Sequence, residues 1–166
     1  MESPTTLEIR KFKPSDKKLF IEFVEESQDY MASIDNMKRT RRMADYGADY
    51  THRILETVRK SQGAVYIAER QGEVIGLIAG IIAQQSKEEL LECAPSKDGV
   101  VLELFVDTKN RRQKVGTALM LKMEEYFRKK GCNASRLEVF EPNAKAHKLY
   151  CKLRYVDRVI FMTKKL

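Results

Sequence analysis

Three basic residues crowd the start of a predicted helix within the segment NRRQKVGTALM, residues 110–120. They are Arg111, Arg112 and Lys114. A helix N-terminus already carries about half a positive charge, so each cation placed there costs about 0.3–1 kcal/mol. The free N–H groups of such a terminus bind phosphate oxygens, and Gly116 lets a ligand approach the backbone closely. The pattern therefore predicts an anion site, where the cations would add charge-assisted contacts to a pyrophosphate.

A second segment, EPNAKAHKLYCKLRY at residues 141–155, has the pattern of a short capped helix with Asn143 as its N-cap. Its apolar stripe consists of Ala146, Leu149, Tyr150 and Leu153. Neither segment contains the phosphate motifs GxxxxGK[ST] or GxGxxG. Taken alone, the basic segment fits a surface loop as well as it fits an anion site.

The elements that must position these residues follow from the hydrophobic periodicity. Strands are predicted at 6–12, 64–70, 74–83, 100–106, 135–141 and 155–165. Helices are predicted over 17–27, 40–61, 114–130 and 144–153, with a loop or short helix at 84–98. This order indicates a mixed α/β sheet.

Together the two segments resemble the motifs of the GNAT (GCN5-related) N-acetyltransferase family. Its first motif, R/Q-x-x-G-x-G/A, is matched by residues 111–116. Its second, N-x-x-A-x-x-L-Y-x-x-x-G-F/Y, is matched by Asn143, Ala146, Leu149, Tyr150 and Tyr155. The preceding strand signature L-x-V is matched by Leu104 and Val106. Lys114 and Arg154 stand where the two motifs have a glycine.

The resemblance implies one α/β GNAT domain over residues 1–166. Its sheet would have six to seven mostly antiparallel strands, splayed at the centre and flanked by about four helices. Acetyl-CoA would be the co-substrate, with no metal, and its pyrophosphate would bind the N–H groups of residues 113–117. The residues implied in binding it are Leu104, Phe105, Val106, Arg111, Arg112, Gln113, Lys114, Val115, Gly116, Thr117, Asn143, Ala146 and Tyr150.

Two residues are candidates for the proton transfers of an acetyl transfer to an amine. By the motif match, Tyr150 would donate to the departing CoA thiolate, although a core tyrosine would have the same spacing. Glu103 is the lone charge in the strand VVLELFV. Burial would raise its pKa and suit it to accept the proton of an ammonium. An alternative for Glu103 is an ion pair with Lys or Arg, facing away from the cleft.

The acceptor cannot be identified from the sequence. The first two predicted helices carry acidic and aromatic residues that suit a cationic amine: Glu25, Glu26, Asp29, Asp35, Asp45, Asp49, Tyr30, Tyr46 and Tyr50. A solvated pair of helices would have the same composition. A small amine (polyamine, aminoglycoside or amino acid) and a protein lysine or N-terminus therefore stay open. A module that binds acyl-CoA without catalysis is an alternative of another class.

Composition sets the remaining limits. The chain has 166 residues, a formal net charge of +7 and three cysteines without metal-ligand spacing. It has no apolar run near the roughly 18 residues of a membrane span and no secretory signal pattern, so a cytoplasmic location is expected. Nucleic acid is a disfavoured partner, since the basic cluster at 38–42 has no interleaved aromatics and no recognition motif occurs. A homodimer is allowed, but the sequence indicates no interface and no role for residues 38–42.

Overall fold

The computed structural model describes residues 6–166. Within that range the strands are β1 (Glu8–Lys11), β2 (Ala64–Arg70), β3 (Glu73–Ala83), β4 (Asp98–Val106) and β5 (Ala134–Leu137). The helices are α1 (Lys17–Ile34), α2 (Tyr46–Lys60), α3 (Glu89–Glu92), α4 (Val115–Lys129) and α5 (Ala144–Lys152). Short 3-10 turns at Pro14–Asp16 and Thr108–Asn110 precede α1 and α4. No helix of the described residues is long and apolar enough to cross a membrane.

The strands form one sheet in the order β1-β2-β3-β4-β5. The first three pairings are antiparallel, and β4 pairs with β5 in parallel. The expected count of six to seven strands is therefore wrong for the described part of the chain. Residues 155–165, expected to close the sheet, form no strand there. The described residues form five helices, because the segment 84–98, expected as a loop or short helix, contains the four-residue α3.

Side chains are buried on both faces of the sheet, which explains why β3 is almost wholly apolar. On one face α4 contributes Leu119, Met123 and Phe127 to a core with Ile78. On the other face α1 contributes Phe20 and Phe23, which pack with Leu77 and Phe105. The close approach of α4 needs Gly99, because a Cβ there would lie 2.2 Å from the Phe127 ring.

The α1–α2 connection is a structured loop, so the predicted helix over 40–61 begins only at Tyr46. The carboxylate of Asp35 accepts hydrogen bonds from the backbone N–H groups of Met37, Arg39 and Thr40 at 2.7–2.9 Å. These hydrogen bonds hold residues 37–40 in a loop rather than in the first turn of a helix. They also lower the pKa of Asp35 to about 2.

Candidate active site

The sheet opens between β4 and β5. Their pairing runs only from Asp98 opposite Ala134 to Val101 opposite Leu137. β4 continues to Val106 with β3 as its one partner among the described residues. The predicted strand over 135–141 stops at Leu137, because the chain beyond that residue leaves β4. The splay that the resemblance implied therefore lies beside the second half of β4.

Two residues of β4 direct their backbone groups into this opening. Asp107 donates its N–H to the carbonyl of Ile75 on β3, at 2.9 Å. Backbone groups alternate in direction along a strand, so those of Leu104 and Val106 point away from β3. The Val106 carbonyl accepts a hydrogen bond from Nε of Arg111 at 2.9 Å. The N–H groups of Leu104 and Val106 face the space that β5 has left.

The N-terminus of α4 follows directly and offers free donors. The first intrahelical bond is donated by Ala118 to the Lys114 carbonyl, at 3.0 Å. The N–H groups of Val115, Gly116 and Thr117 thus precede the helical ladder, and no side chain caps the helix. Such a set of N–H groups binds phosphate oxygens.

The three predicted cations of this segment have different surroundings. Arg111 is engaged within the protein, because its guanidinium lies 4.0 Å from Glu26 and 5.8 Å from the centre of the Tyr30 ring. The side chains of Arg112 and Lys114 make no hydrogen bond or ion pair with any described residue, and both residues are exposed. Among the three, Arg112 and Lys114 are therefore the cations left to meet an anion.

Arg70, at the end of β2, is a residue that sequence reasoning missed. Its guanidinium donates to Oε1 of Gln113 and, at 3.3 Å, to Oδ1 of Asn110. Gln113 in turn donates to the Lys109 carbonyl at 3.2 Å. Arg70 thereby ties the loop before α4 to the sheet. No local pattern indicates this contact, since about forty residues separate the partners.

The second motif lies against the first. Asn143 caps α5 as predicted, accepting a hydrogen bond from the N–H of Ala146 at 3.3 Å. Leu149 of α5 packs over Gly116, where a Cβ would lie 3.3 Å from the leucine methyl. The lack of a side chain at Gly116 therefore allows the close approach of two helices, in addition to the predicted access for a ligand.

Glu103 projects from the face of β4 opposite to Leu104, toward α1 and α2. Its carboxylate accepts a hydrogen bond from the Tyr50 hydroxyl at 3.1 Å, and Ser27 is a second hydrogen-bond partner. Burial raises the pKa of Glu103, and these hydrogen bonds oppose the rise only in part. No Lys or Arg among residues 6–166 forms an ion pair with it. The alternative of a structural ion pair therefore does not apply.

Tyr150 lies on the inner side of α5. It is half-buried, and its ring centre is 6.1 Å from that of Tyr155. Burial and then the negative charge of Glu103 raise the pKa of Tyr150 to about 12. The phenol is therefore protonated at neutral pH, as a proton donor must be, and it lies within electrostatic reach of Glu103.

An open pocket of about 370 Å³ lies on the α2 side of Glu103. Its lining residues are Met43, Ala44, Asp45, Tyr46, Asp49, Tyr50 and Arg53. The rings of Tyr46 and Tyr50 stack with their centres 5.1 Å apart. Tyr50 links the pocket to Glu103, because its ring lines the wall and its hydroxyl holds the carboxylate.

The acidic residues that the sequence analysis grouped as candidates for binding an amine have different surroundings in the structure. Asp35 holds the α1–α2 loop, and Asp29 pairs with Arg42 at 2.7 Å. Glu26 accepts a hydrogen bond from Thr108 at 3.0 Å. These acidic groups have structural partners, whereas Asp45 and Asp49 line the pocket. No group of three or more His, Cys, Asp or Glu side chains that could hold a metal occurs within residues 6–166.

Comparison with known families agrees with this geometry. The model of the acetyltransferase (GNAT) family matches residues 21–154, which are most of the chain. The protein therefore belongs to the GNAT acetyltransferase family, a family of acyltransferases. Among curated proteins, none matches the sequence.

Solved structures show the same fold. A GCN5-related N-acetyltransferase from Ralstonia eutropha is 20% identical, with a TM-score of 0.71 over 97% of this chain and 99% of that one. Glucosamine-6-phosphate N-acetyltransferase from Arabidopsis thaliana is 19% identical, with a TM-score of 0.67 over 96% and 98%. The aminoglycoside N-acetyltransferase AAC(6')-Iy in complex with CoA is 18% identical, with a TM-score of 0.73 over 100% and 99%.

Proposed function

We propose that this protein is an acetyl-CoA-dependent N-acetyltransferase that acts on the primary amine of a small molecule, as a single domain in the cytoplasm. The observation that carries the proposal is the placement of Glu103 and Tyr150. The opening beside β4 lies near both residues, and the acidic, aromatic pocket adjoins Glu103 through Tyr50. A carboxylate with a raised pKa and a protonated phenol are the two groups that the reaction requires.

The residues present fit acetyl-CoA. The free N–H groups at the start of α4 and the unpaired cations Arg112 and Lys114 suit a pyrophosphate. The unpaired half of β4 offers the N–H group of Val106 to an amide of a pantetheine arm. Bound there, acetyl-CoA would supply the acetyl group as a thioester.

Glu103 would prepare the acceptor. An alkyl ammonium has a pKa of about 10.4 and must lose a proton before its nitrogen can attack a carbonyl. The Glu103 carboxylate takes that proton, and its raised pKa makes it a better base than an exposed glutamate. Tyr50 and Ser27 orient the carboxylate through their hydrogen bonds.

Backbone and phenol groups would assist the bond changes. The N–H group of Leu104 points toward the opening, where it can stabilise negative charge on a carbonyl oxygen. As the new C–N bond forms and the C–S bond breaks, the sulfur leaves with the bonding electron pair. The Tyr150 hydroxyl would give its proton to that sulfur, and the phenolate that remains would take the second proton, which the nitrogen loses as the amide forms.

The pocket supports a cationic, small-molecule acceptor. Asp45 and Asp49 attract an ammonium, and the stacked faces of Tyr46 and Tyr50 add cation–π attraction. Two structural neighbours carry the names of enzymes for aminoglycosides and glucosamine 6-phosphate, which are small amines. An amine of this kind is therefore the acceptor class to test first.

A calorimetric titration tests the cofactor half of this proposal. Acetyl-CoA and CoA should bind, and dephosphorylated pantetheine should bind much more weakly. The double variant Arg112→Ala, Lys114→Ala should weaken acetyl-CoA binding about tenfold, which corresponds to about 1.4 kcal/mol. The matched control is Lys17→Ala, Lys18→Ala at the exposed start of α1, which should have no effect. Equal binding of pantetheine and acetyl-CoA would contradict an anion site at residues 111–117.

An amine screen tests the acceptor half. CoA release is followed with a polyamine, an aminoglycoside, an amino acid and a lysine peptide as acceptors. Turnover with a small amine and a several-fold higher KM in Asp49→Asn would support the proposal. Turnover of the peptide alone would assign the protein to the protein acetyltransferases. Acetyl-CoA binding without turnover of any class would favour a non-catalytic module.

A further inference from the structure

The pocket beside Glu103 is lined by charges of both signs. Asp45 and Asp49 line it together with Arg53, and all three belong to α2 or directly precede it. None of the three forms an ion pair with a described residue. An acceptor that carried only positive charge would be repelled by Arg53, so the guanidinium in this pocket needs an explanation of its own.

Arg53 lies against an aromatic wall of the pocket and not against its nearest acidic neighbour. Asp49 precedes Arg53 by one helical turn, a spacing at which an ion pair is favourable. That pair does not form, and the guanidinium carbon lies 5.3 Å from the centre of the Tyr50 ring, within the range of a cation–π contact. The contact holds the guanidinium at the pocket wall. Its N–H groups make no hydrogen bond to any described residue, so they are free to bind a ligand.

The charge of Arg53 also reaches the phenols beside Glu103. Burial, and after it the negative charge of Glu103, raises the pKa of Tyr46 and the pKa of Tyr50. The positive charge of Arg53 opposes the rise in both phenols. Arg53 and Glu103 therefore lie near the same pair of hydroxyl groups. A small molecule whose amine lies at Glu103 has the rest of its atoms near Arg53.

The loop that leads into the pocket is basic as well. Its residues Lys38, Arg39 and Arg41 form no ion pair with a described residue. α1 holds the loop in place, because Gln28 donates a hydrogen bond to the Arg41 carbonyl at 2.9 Å. Two residues later the chain reaches Met43, where the pocket lining begins. An anion that approaches the pocket from this side meets a positive field.

We infer that the acceptor amine carries an anionic group, a carboxylate or a phosphate, which Arg53 binds while the ammonium lies toward Asp49 and Glu103. A guanidinium donates two parallel hydrogen bonds to either anion. A volume of about 370 Å³ is at the low end of the range for small-molecule pockets, about 300–1,000 Å³, and suits an acceptor the size of an amino acid or an amino sugar phosphate. Polyamines and aminoglycosides lack the anion and would leave Arg53 unpaired. This inference rests on the proposed function, because it narrows the acceptor of the same site.

Pairs of acceptors that differ in one anionic group test the inference. CoA release is followed with leucine and leucine amide, with glucosamine 6-phosphate and glucosamine, and with putrescine as a dication. In at least one pair, the acceptor with the anion should have a kcat/KM about 10–100-fold above that of its counterpart and that of putrescine. The pair that shows this preference identifies the anion as a carboxylate or a phosphate.

Variants of Arg53 test which residue sets the preference. Arg53→Gln keeps a polar side chain without the charge, and it should reduce the preference to within about twofold, chiefly through the KM of the anionic acceptor. Arg53→Lys should keep part of the preference, because the charge remains without the two parallel donors. Arg59→Gln is the matched control, since Arg59 lies on α2 outside the pocket lining. It should keep the full preference, and all three variants should keep the KM for acetyl-CoA.

The outcomes separate this inference from the proposed function. Equal use of the anionic and neutral acceptors by the wild type, or a preference that survives Arg53→Gln, would overturn the inference and leave the proposed function intact. Absence of turnover with every amine would contradict the proposed function. In that case, calorimetric titration of the same acceptors in the presence of CoA decides the inference. Stronger binding of the anionic acceptors that is lost in Arg53→Gln would support it, and equal binding would overturn it.

Discussion

Lys114 and Arg154 occupy the two positions where the family motifs have a glycine, and both adopt left-handed backbone conformations. Their φ angles are +63° and +69°. A residue with a Cβ pays about 1–2 kcal/mol for this conformation. A glycine at these two turns, as in the family motifs, would adopt the left-handed conformation without this cost. Lys114 has this strained conformation where its added cation can face the proposed phosphate site.

Replacing Lys114 with glycine should therefore stabilise the fold. The relieved strain exceeds the extra freedom of glycine in the unfolded chain, about 0.4–1 kcal/mol, so the net gain is about 0.5–1 kcal/mol. Thermal unfolding should show a Tm higher by about 1–4 °C. Acetyl-CoA binding should weaken at the same time, because a cation is lost. Lys109→Gly is the control. Lys109 is not among the positive-φ residues, so the substitution relieves no strain and the Tm of this variant should fall.

Glu103 should control the acid limb of the pH–rate profile. As a base, Glu103 must be deprotonated. Because its pKa is raised, the fall of kcat/KM on the acid side should occur at a pH above 4.5, the ordinary pKa of a glutamate. Glu103→Gln should lower kcat by about 100-fold or more and abolish this limb. Glu92→Gln, on exposed α3, serves as the control and should leave the profile unchanged. An unchanged limb in Glu103→Gln would assign the base to another group.

Tyr150→Phe should lower turnover and leave acetyl-CoA affinity within about twofold. Removing one proton donor costs about 10–100-fold in kcat, and the phenyl ring keeps its packing. Because the pKa of Tyr150 is about 12, ionisation of this phenol should not lower wild-type activity at any pH up to about 10. Tyr155→Phe is the matched control, since that hydroxyl bonds Ser135 and Glu124 and should affect stability only. Equal turnover in Tyr150→Phe and the wild type would remove the proposed role.

At the scale of elements, the parts of the site that the sequence predicted are local ones. The start of α4 follows from a buried strand, a basic turn and an apolar stripe within about twenty residues. The cap at Asn143 depends on four consecutive residues. In contrast, the bond from Tyr50 to Glu103 joins α2 to β4, and Arg70 reaches Gln113 from β2. Such contacts depend on how elements that are distant in sequence pack together. The hydrophobic periodicity of the sequence carries no information about that packing.

Asp16 joins β1 to α1 and should make stability depend on pH. Its buried carboxylate accepts hydrogen bonds from Arg10 at 2.8 and 2.9 Å and from the Lys13 N–H at 2.7 Å. The hydrogen bonds from Arg10 are the main reason why the pKa of Asp16 lies below 3.8. Since the folded pKa is the lower one, the stabilisation is complete above the unfolded pKa and is lost as pH falls through the folded pKa.

The test compares thermal unfolding of the wild type and Asp16→Asn from pH 7 to pH 2.5. At pH 7 the variant should be less stable by about 1.5–3 kcal/mol, because charge-assisted bonds are lost. The difference should begin to shrink below about pH 4, where the unfolded chain binds a proton that the folded Asp16 does not, and it should be smallest below the lowered folded pKa. Asp29→Asn should have an effect below about 1 kcal/mol at any pH, because the side chain of Asp29 is 56% exposed. A constant difference for Asp16→Asn would contradict the linkage.

At the scale of the whole molecule, the sequence predicted the order of elements well up to α5 and failed for the last strand. β2 has the predicted bounds, and β3 and β4 agree within two residues. Residues 155–165 have strand composition, but a strand also needs a neighbouring edge, and propensity does not say which chain supplies it. The sequence could therefore predict a strand there without locating its partner.

Acetyl-CoA should stabilise the whole chain by mass action, because the site joins β4, α4 and α5 and exists only when these elements are folded. At a concentration 100 times its Kd, the ligand adds about 2.7 kcal/mol, which raises the Tm by roughly 5–10 °C. At the same concentration, Arg112→Ala, Lys114→Ala should retain about half of this rise, since tenfold weaker binding removes about 1.4 kcal/mol. Lys17→Ala, Lys18→Ala should retain all of it. An equal rise in both double variants would place the phosphate contacts away from the start of α4.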